Sequence, residues 1–254
     1  MTRARVLASV LPVRHDGRTP DDLRPIHLDV GFLKKAAGSC LVSFGDTRVL
    51  TCVSVEERVP PFRMGKGGWL SAEYAMLPGS TEDRKKRDGV KQDGRSVEIQ
   101  RLIGRALRAA VRVDSMPQLT LWVDCDVIEA DGGTRCAAIT GAYVSLAVAL
   151  GKLHKKGTVK SIPDILTTSV SAVSVGLVGG KVCVDLNYVE DSAAEADLNV
   201  VATGEGRLVE VAGAAEKGSF DRKQLDQMID AGLAANARLK ALQDAAVKAA
   251  LERA

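Results

Sequence analysis

An alternating strand that runs through two glycines directly into a long apolar helix constrains this chain more than any other feature. Residues 119–127 alternate apolar and polar side chains, which predicts a strand with one buried face. Residues 137–150 are almost wholly apolar and predict a buried helix. Gly132 and Gly133 would let an anion approach the backbone, and the N–H groups and dipole of a helix start favour negative charge. This junction therefore predicts an anion site.

The residues after the glycines allow two interpretations of the same junction. Arg135 would add a planar guanidinium that suits phosphate or carboxylate. Alternatively, the glycines only turn the chain, Thr134 is the helix N-cap and Arg135 points into solvent. Short glycine motifs often occur by chance, so this segment alone leaves both interpretations open.

Composition predicts a soluble globular chain. With 254 residues, 46% apolar and 26% charged, it can form one large domain or two small ones. The five cysteines include no C-x-x-C pair, so we expect reduced core residues of a cytoplasmic protein, not disulfides or zinc ligands. The three histidines are far apart, which argues against a histidine metal centre. No uninterrupted apolar run reaches the roughly 18 residues of a membrane span, so no membrane partner is expected.

Charge is distributed unevenly although the net charge is only +3. Residues 84–108 contain nine basic residues and three acidic ones, whereas residues 185–217 contain eight acidic and two basic ones. A polyanion would prefer the first segment and a divalent cation the second. Each segment alone could be a solvated face, which explains most charge runs. A phosphate-transfer site, however, needs both kinds of charge close together.

The order of predicted elements indicates two similar halves. In the first half, residues 39–44 and 47–55 predict strands around a Gly45-Asp46 turn, and residues 96–111 predict an amphipathic helix. A turn-rich linker at residues 155–163 follows the apolar helix.

In the second half, residues 166–177 and 181–186 predict strands around a Gly179-Gly180 turn, and two more strands flank residues 204–206. A long helix with Ser219 as N-cap ends the chain. These elements predict an α+β fold of duplicated βαβ-type halves, with mixed sheets and packed helices. We expect one compact unit, divided as an arm at 1–12, a first half at 13–155 and a second half at 156–254.

An acidic loop in the second half is the candidate metal and acid–base site. Asp185 would end one strand, Asp197 would start the next, and Asp191 would lie in the connection. Carboxylates that converge there could hold Mg²⁺, and one with a raised pKa could act as a general acid or base. An exposed acidic turn without function is the simpler interpretation of this loop.

Several separated segments, in the same order, resemble the ribonuclease PH family, and the likeness runs from about Arg14 to the final helix. The matching segments are residues 14–18, 68–74, 76–78, 91–95, 98–104, 124–142 and 188–195, with Glu210, Val211, Gly213, Ala215 and Glu216. The resemblance implies a ribonuclease PH fold, which is similar to domain 2 of ribosomal protein S5.

The resemblance also implies roles for individual residues. Arg95, Gly133, Thr134 and Arg135 would bind inorganic phosphate as co-substrate. Asp191 and Asp197 would be catalytic and would hold Mg²⁺ or Mn²⁺, and Arg84 and Arg87 would bind RNA.

The chain departs from the family pattern at a few positions. Gly79 stands where an arginine is usual after Pro78, and the loop is about two residues short before Lys91. The other departures are Ala75 for glycine, Cys136 for threonine, Ala212 for glutamine and Ala214 for threonine. The change at Gly79 is expected to affect RNA affinity more than chemistry.

The implied function is phosphate-dependent 3′-to-5′ trimming of tRNA precursors and other RNA 3′ ends. The enzyme, a tRNA nucleotidyltransferase, would release nucleoside 5′-diphosphates and would add nucleotides in reverse. The resemblance also implies a homo-hexamer built as a trimer of dimers. The alternative is a non-catalytic RNA-threading subunit of an exosome-like ring, and a hydrolase that uses water is a third option. The presence of Arg95, Arg135, Asp191 and Asp197 favours the enzyme.

Overall fold

The first β-sheet contains the hairpin and the alternating strand that the sequence predicts. The computed structural model describes residues 14–87 and 93–253, so the expected arm at 1–12 and the shortened stretch before Lys91 lie outside the described residues. The strands are β1 (Ile26–Val30), β2 (Gly38–Phe44), β3 (Thr47–Glu56), β4 (Trp69–Met76) and β5 (Thr120–Glu129), in the spatial order β1-β2-β3-β5-β4. Neighbours are antiparallel except β4 and β5, which are parallel.

Helix α1 (Gly94–Ala110) connects the parallel strands β4 and β5. It begins two residues earlier than predicted because Asp93 is its N-cap and accepts a hydrogen bond from Ser96 N at 2.6 Å. Its buried face carries aliphatic side chains such as Ile99, Leu102 and Leu107. Arg95 is therefore fixed at the first turn of a helix that packs against β4.

The second β-sheet is antiparallel throughout and belongs to the second half. Its strands are β6 (Val170–Val178), β7 (Lys181–Val184), β8 (Ala196–Thr203) and β9 (Leu208–Ala215), in the spatial order β7-β6-β8-β9. The predicted Gly179-Gly180 turn joins β6 to β7, and both glycines have positive φ. The two halves thus share a sheet followed by a long helix, while the parallel crossover occurs in the first half.

Helix α2 (Thr134–Lys155) lies between the sheets, where it packs against β2, β3 and β6. A Cβ atom at Gly38 of β2 would lie 2.0 Å from the Ser145 carbonyl oxygen, so only glycine permits this approach. By length and average hydropathy α2 could cross a membrane, but 94% of its most apolar window is buried inside the protein. Its apolar composition therefore reflects its central position in the core.

Helix α5 (Arg222–Arg253) packs on α2 and β6 and begins later than predicted. Gln224 N donates to Asp221 Oδ1, and Asp221 N donates to Gln224 Oε1, both at 2.8 Å. This reciprocal pair makes Asp221 the N-terminal cap, so the prediction of Ser219 is wrong.

Two short helices occupy segments that were expected to be loops. Helix α3 (Ile162–Ile165) lies at the end of the predicted linker, and α4 (Tyr188–Ala193) lies in the predicted acidic loop. All five cysteines lie in the described part of the chain and are unpaired, as predicted, and four of them are buried.

Candidate active site

A polar cavity of about 990 Å³ brings together residues from both halves of the chain. Its walls come from the turn before α2, the start of α1, helix α4, and strands β8 and β9. Six predicted site residues line it: Arg95, Gly133, Thr134, Arg135, Asp191 and Asp197. The structure therefore places the expected anion site and the expected acid pair in one cavity.

The two glycines before α2 take a backbone conformation that other residues rarely adopt. Gly132 and Gly133 have φ values of 73° and 68°, in the left-handed region that favours glycine. A Cβ atom at Gly132 would lie 2.7 Å from the Asn187 carbonyl carbon, so a side chain there would collide with the segment before α4. The turn therefore packs directly against the element that carries Asp191.

Thr134 is not the N-cap of α2, because Gly133 occupies that position without a side-chain cap bond. The Thr134 hydroxyl instead forms a 2.8 Å hydrogen bond with the buried Tyr74 hydroxyl. The first-turn N–H groups of a helix have no acceptor within the helix, and here they adjoin the cavity. This geometry favours the anion-site interpretation over the simple turn.

Two guanidinium groups, those of Arg95 and Arg135, bring positive charge to the cavity, which Lys85 and Lys217 also line. Arg135 is 21% exposed, and its Nη1 lies 3.9 Å from Glu98 Oε1. Arg95 and Arg135 both act to lower the pKa of Asp191, so their charges reach the acidic side of the cavity. The bulk-solvent position considered for Arg135 is therefore wrong.

The acidic side contains Asp191 on α4 and Asp197 on β8. Burial and the neighbouring charge of Asp197 raise the pKa of Asp191 above its usual range, although the two arginines partly offset this effect. Burial and the charge of Glu216 raise the pKa of Asp197. Glu216, whose position in the cavity the sequence does not predict, is thus a third carboxylate that influences the pair.

Asp185 does not join this cluster, so the expected convergence of three loop aspartates is wrong. It is 1% exposed, and its carboxylate pairs with the guanidinium of Arg24 at 2.7 Å. The residues are 161 positions apart in sequence, and no local pattern indicates the pair.

The two aspartates fit a divalent cation that also binds substrate. In residues 14–87 and 93–253 no group of three or more His, Cys, Asp or Glu side chains is arranged to enclose a metal ion. Mg²⁺, however, commonly uses one or two carboxylates and takes its other oxygens from phosphate and water. Burial and neighbouring carboxylates raise the pKa values of Asp191 and Asp197, and a bound cation would offset the cost of keeping both ionised.

The residues expected to bind RNA lie outside the cavity wall. Arg84 and Arg87 are exposed, whereas the intervening Lys85 lines the cavity. A Cβ atom at Gly79 would have no neighbour within 4 Å, so there is room for a larger side chain. The sequence predicts no role in the cavity for Asp131, Ser174, Tyr188 or Asn199, which also line it.

The departures from the family pattern at Cys136, Ala212 and Ala214 lie at or behind the cavity wall. Cys136 is buried, and its thiol donates to Asn199 Oδ1 at 3.2 Å. Burial raises the pKa of this thiol to about 12. On β9, Ala212 is opposite Asn199 and Ala214 is opposite Asp197, and both alanines line the cavity.

The sequence is similar to known 3′ exoribonucleases along most of its length. Models of the 3′ exoribonuclease family match residues 22–150 as domain 1 and residues 168–235 as domain 2. The chain is 50% identical over 221 residues to ribonuclease PH of Bacillus subtilis, covering 85% of this chain and 89% of that protein. It is 52% identical over 239 residues to ribonuclease PH of Mycolicibacterium smegmatis, covering 93% and 92%.

Solved structures share the fold at lower identity. Rice Rrp46 has a TM-score of 0.76 at 21% identity and covers 92% of this chain and 100% of its own. A chain of the Archaeoglobus fulgidus exosome with RNA bound to the active site has a TM-score of 0.74 at 21% identity, covering 90% and 91%. The two sheets with their packed helices, together with these matches, confirm the predicted fold class.

Proposed function

The chain belongs to the ribonuclease PH family of 3′ exoribonucleases, and on this premise we propose how its cavity works. The protein is a phosphate-dependent nucleotidyltransferase, that is, a phosphorolytic 3′-to-5′ exoribonuclease. Inorganic phosphate attacks the last phosphodiester of an RNA, releases a nucleoside 5′-diphosphate and leaves a 3′-hydroxyl on the shortened chain. The reverse reaction adds a nucleotide and releases phosphate.

One observation supports placing this activity in the cavity. The Gly132-Gly133 turn, Arg95 and Arg135 line the same space of about 990 Å³ as the pair Asp191 and Asp197. A reaction between two phosphate groups needs fixed positive charge on the attacking side and proton control on the leaving side. Both are supplied by residues that line this cavity.

Arg95, Arg135 and the N–H groups of Gly133 and Thr134 hold the attacking phosphate. They offset the repulsion between this anion and the RNA phosphodiester, and they fix the attacking oxygen in line with the leaving 3′-oxygen. Because the two backbone N–H donors belong to a turn that the fold holds before substrate arrives, they need little reorganisation during the reaction.

Asp191 donates a proton to the leaving 3′-oxygen. Its raised pKa keeps a larger protonated fraction near neutral pH than an ordinary aspartic acid would have. A phosphate oxygen forms the new bond to phosphorus, the bond from phosphorus to the 3′-oxygen breaks, and that oxygen takes the proton.

Asp197 would also hold Mg²⁺ or Mn²⁺, together with Asp191 in the ionised form that it takes after donating its proton. When bound, such an ion would supply positive charge beside the transferring phosphoryl group. The pair is suited to this because it leaves coordination positions free for phosphate and water.

The RNA contact and the assembly extend this proposal. Exposed Arg84 and Arg87 would neutralise RNA phosphates outside the cavity, and Lys85 would do so at its wall. The preferred substrates would be tRNA precursors, processed in the cytoplasm, where unpaired thiols such as these persist. The protein would act as a hexamer, a trimer of dimers, and the exposed side chains of Phe62 and Met64 offer apolar surface for a subunit contact.

The alternative is a subunit that threads RNA without cleaving it. A 3′-extended tRNA should be incubated with the wild-type protein and with an Asp191→Asn variant, each with and without inorganic phosphate. We expect shortening by the wild type in phosphate alone. Binding without shortening in every mixture would identify a scaffold subunit, and shortening without phosphate would identify a hydrolase.

A further inference from the structure

Arg24 does not line the cavity, yet it contacts both the turn before α2 and Asp185, which precedes α4. The residue is 5% exposed. Its backbone N donates to Asp185 Oδ2 at 2.7 Å, its Nε donates to the same oxygen at 3.1 Å, and its Nη2 donates to Oδ1 at 2.7 Å. Arg24 thus holds the Asp185 carboxylate through three donors.

The other edge of the guanidinium holds the turn that precedes α2. Arg24 Nη1 donates to the Asp131 carbonyl at 2.5 Å, and Nη2 reaches the Gly132 carbonyl at 3.4 Å. The Thr47 hydroxyl also donates to the Gly132 carbonyl, at 2.7 Å, and accepts from Asp131 N at 2.9 Å. Both carbonyls of the turn are therefore held from the side away from the cavity.

These contacts determine where the phosphate donors point. The Gly132 carbonyl and the Gly133 N–H belong to one planar trans peptide, so they point in opposite directions. When Arg24 and Thr47 fix the carbonyl, they also fix the N–H that would bind phosphate. This constraint matters because Gly132 and Gly133 are among the least restricted residues of a chain.

Asp185 in turn fixes the start of α4. Its φ of 53° is the only positive value at a non-glycine residue in the described part of the chain, and such a conformation persists only when neighbouring contacts hold it. Its carbonyl accepts from Arg14 Nη2 at 3.0 Å and from Arg18 Nη1 at 2.8 Å. Asn187, two residues later, caps the helix that carries Asp191.

A second contact links the turn before α2 directly to helix α4. The Asp131 carboxylate accepts from Tyr188 N, at the first turn of α4, at 3.1 Å. Asp131 therefore follows β5 on one side of the cavity and contacts the helix on the other.

We propose that Arg24 is a positioning residue for phosphorolysis, because its guanidinium joins the Gly132 carbonyl to Asp185. In this way it fixes the position of the Gly133 N–H donor relative to the helix that carries Asp191. This inference rests on the proposed function of the cavity. Arg24 touches neither phosphate nor RNA, and it acts through the peptide that it holds. A purely structural ion pair would instead affect stability without changing phosphate recognition.

Arg24→Lys tests the proposal because it keeps the charge and removes the fork that spans both elements. Steady-state kinetics should show the KM for phosphate raised at least about tenfold and kcat lowered, since both the phosphate donors and Asp191 shift. Phosphate binding without RNA should weaken in parallel, measured as the rise in melting temperature that inorganic phosphate produces.

Thr47→Val changes the contacts of the turn before α2 and leaves the Arg24–Asp185 pair in place. Thr47 contacts the turn and not Asp185, so this variant should raise the KM for phosphate with a smaller effect on kcat. If Arg24→Lys fails to fold, Thr47→Val still tests whether the contacts that hold the Gly132 carbonyl set the KM for phosphate, and an unchanged KM would overturn the inference.

Ser171→Ala is the matched control. Ser171 is buried, and its hydroxyl bonds Asn236 Oδ1 at 2.7 Å, outside the cavity wall. This variant should lower the melting temperature while its KM for phosphate stays within about twofold of wild type.

The outcomes separate this inference from the proposed function. If the wild type turns over RNA with phosphate but folded Arg24→Lys and Thr47→Val keep the wild-type KM for phosphate, Arg24 is structural and the inference is overturned. If the wild type shows no phosphate-dependent turnover and no stabilisation by phosphate, the proposed function itself fails.

Discussion

Asp197 lies close enough to Asp191 for its charge, added to the effect of burial, to hold the pKa of Asp191 above its usual range. The pair therefore stores electrostatic repulsion that a cation or a proton would relieve. Arg95 and Arg135 act in the opposite direction on the same carboxylate. The two arginines and the two aspartates thus act against one another within the cavity, and this relationship leads to the following predictions.

Asp191→Asn and Asp197→Asn should each abolish phosphorolysis while RNA binding stays intact or becomes slightly tighter, because each removes negative charge from a site that accepts a polyanion. Each should also raise the melting temperature at neutral pH. A carboxyl whose pKa is raised by folding stabilises the protein at low pH and loses this contribution as pH rises through the folded pKa. The stability gain over wild type should therefore shrink towards about pH 4, as scanning calorimetry can show. Retained turnover in both variants would show that these aspartates have no catalytic role.

Glu216→Gln should shift the pH dependence of kcat without abolishing turnover. Glu216 raises the pKa of both aspartates, so its removal should lower both values. If protonated Asp191 is the acid, the alkaline fall of kcat should move to lower pH, measured at saturating phosphate. Glu195→Gln is the control, because Glu195 lies outside the cavity wall and should leave the profile in place. An unchanged profile in Glu216→Gln would contradict the assignment of Asp191.

Arg95→Ala and Arg135→Ala should each reduce phosphorolysis by orders of magnitude. Each removes a charge-assisted contact worth roughly 1.5 to 3 kcal/mol or more at a partly desolvated site. Folding should survive, since neither guanidinium is part of the core. The measurement is kcat/KM for phosphate together with the circular dichroism spectrum. Folded variants that work at near wild-type rates in low phosphate would show that the anion lies elsewhere.

The double variant with Arg84→Ala and Arg87→Ala should raise the KM for a structured tRNA precursor and flatten the salt dependence of its binding, because each arginine releases counterions from RNA. Phosphate affinity and thermal stability should change little. The matched control replaces Arg222 and Lys223, two exposed cations at the start of α5. Equal salt slopes for the wild type and the Arg84/Arg87 variant would exclude this loop as the RNA contact.

Gly79→Arg should tighten RNA binding, because it adds a cation where nothing lies within 4 Å of the added Cβ atom. Its effect should disappear at high salt, where screening removes the added attraction. An RNA titration at low and high salt checks this, and an unchanged affinity at low salt would contradict it.

The sequence predicts the elements with strong periodicity and misses those set by contacts between distant residues. Strand β5 and helix α2 have clear apolar patterns, so their junction and its anion chemistry could be predicted. Helix α4 was missed although Asn187 and Glu190 form a capping box, a signal that can be read from sequence. The partnership of Arg24 with Asp185 could not be predicted, because it depends on how two halves of the chain pack. The same applies to Glu216, which β9 brings beside Asp197.

The position of labelled phosphate in the products tests most directly whether phosphate is the nucleophile. A 3′-extended tRNA should be incubated with the wild-type protein, Mg²⁺ and inorganic phosphate that carries ¹⁸O, and the released nucleotides should be examined by mass spectrometry. Attack by phosphate places the labelled group at the β position, so we predict nucleoside 5′-diphosphates that carry the label there. Unlabelled nucleoside monophosphates as the main product would mean that water is the nucleophile, and would contradict phosphorolysis at this cavity.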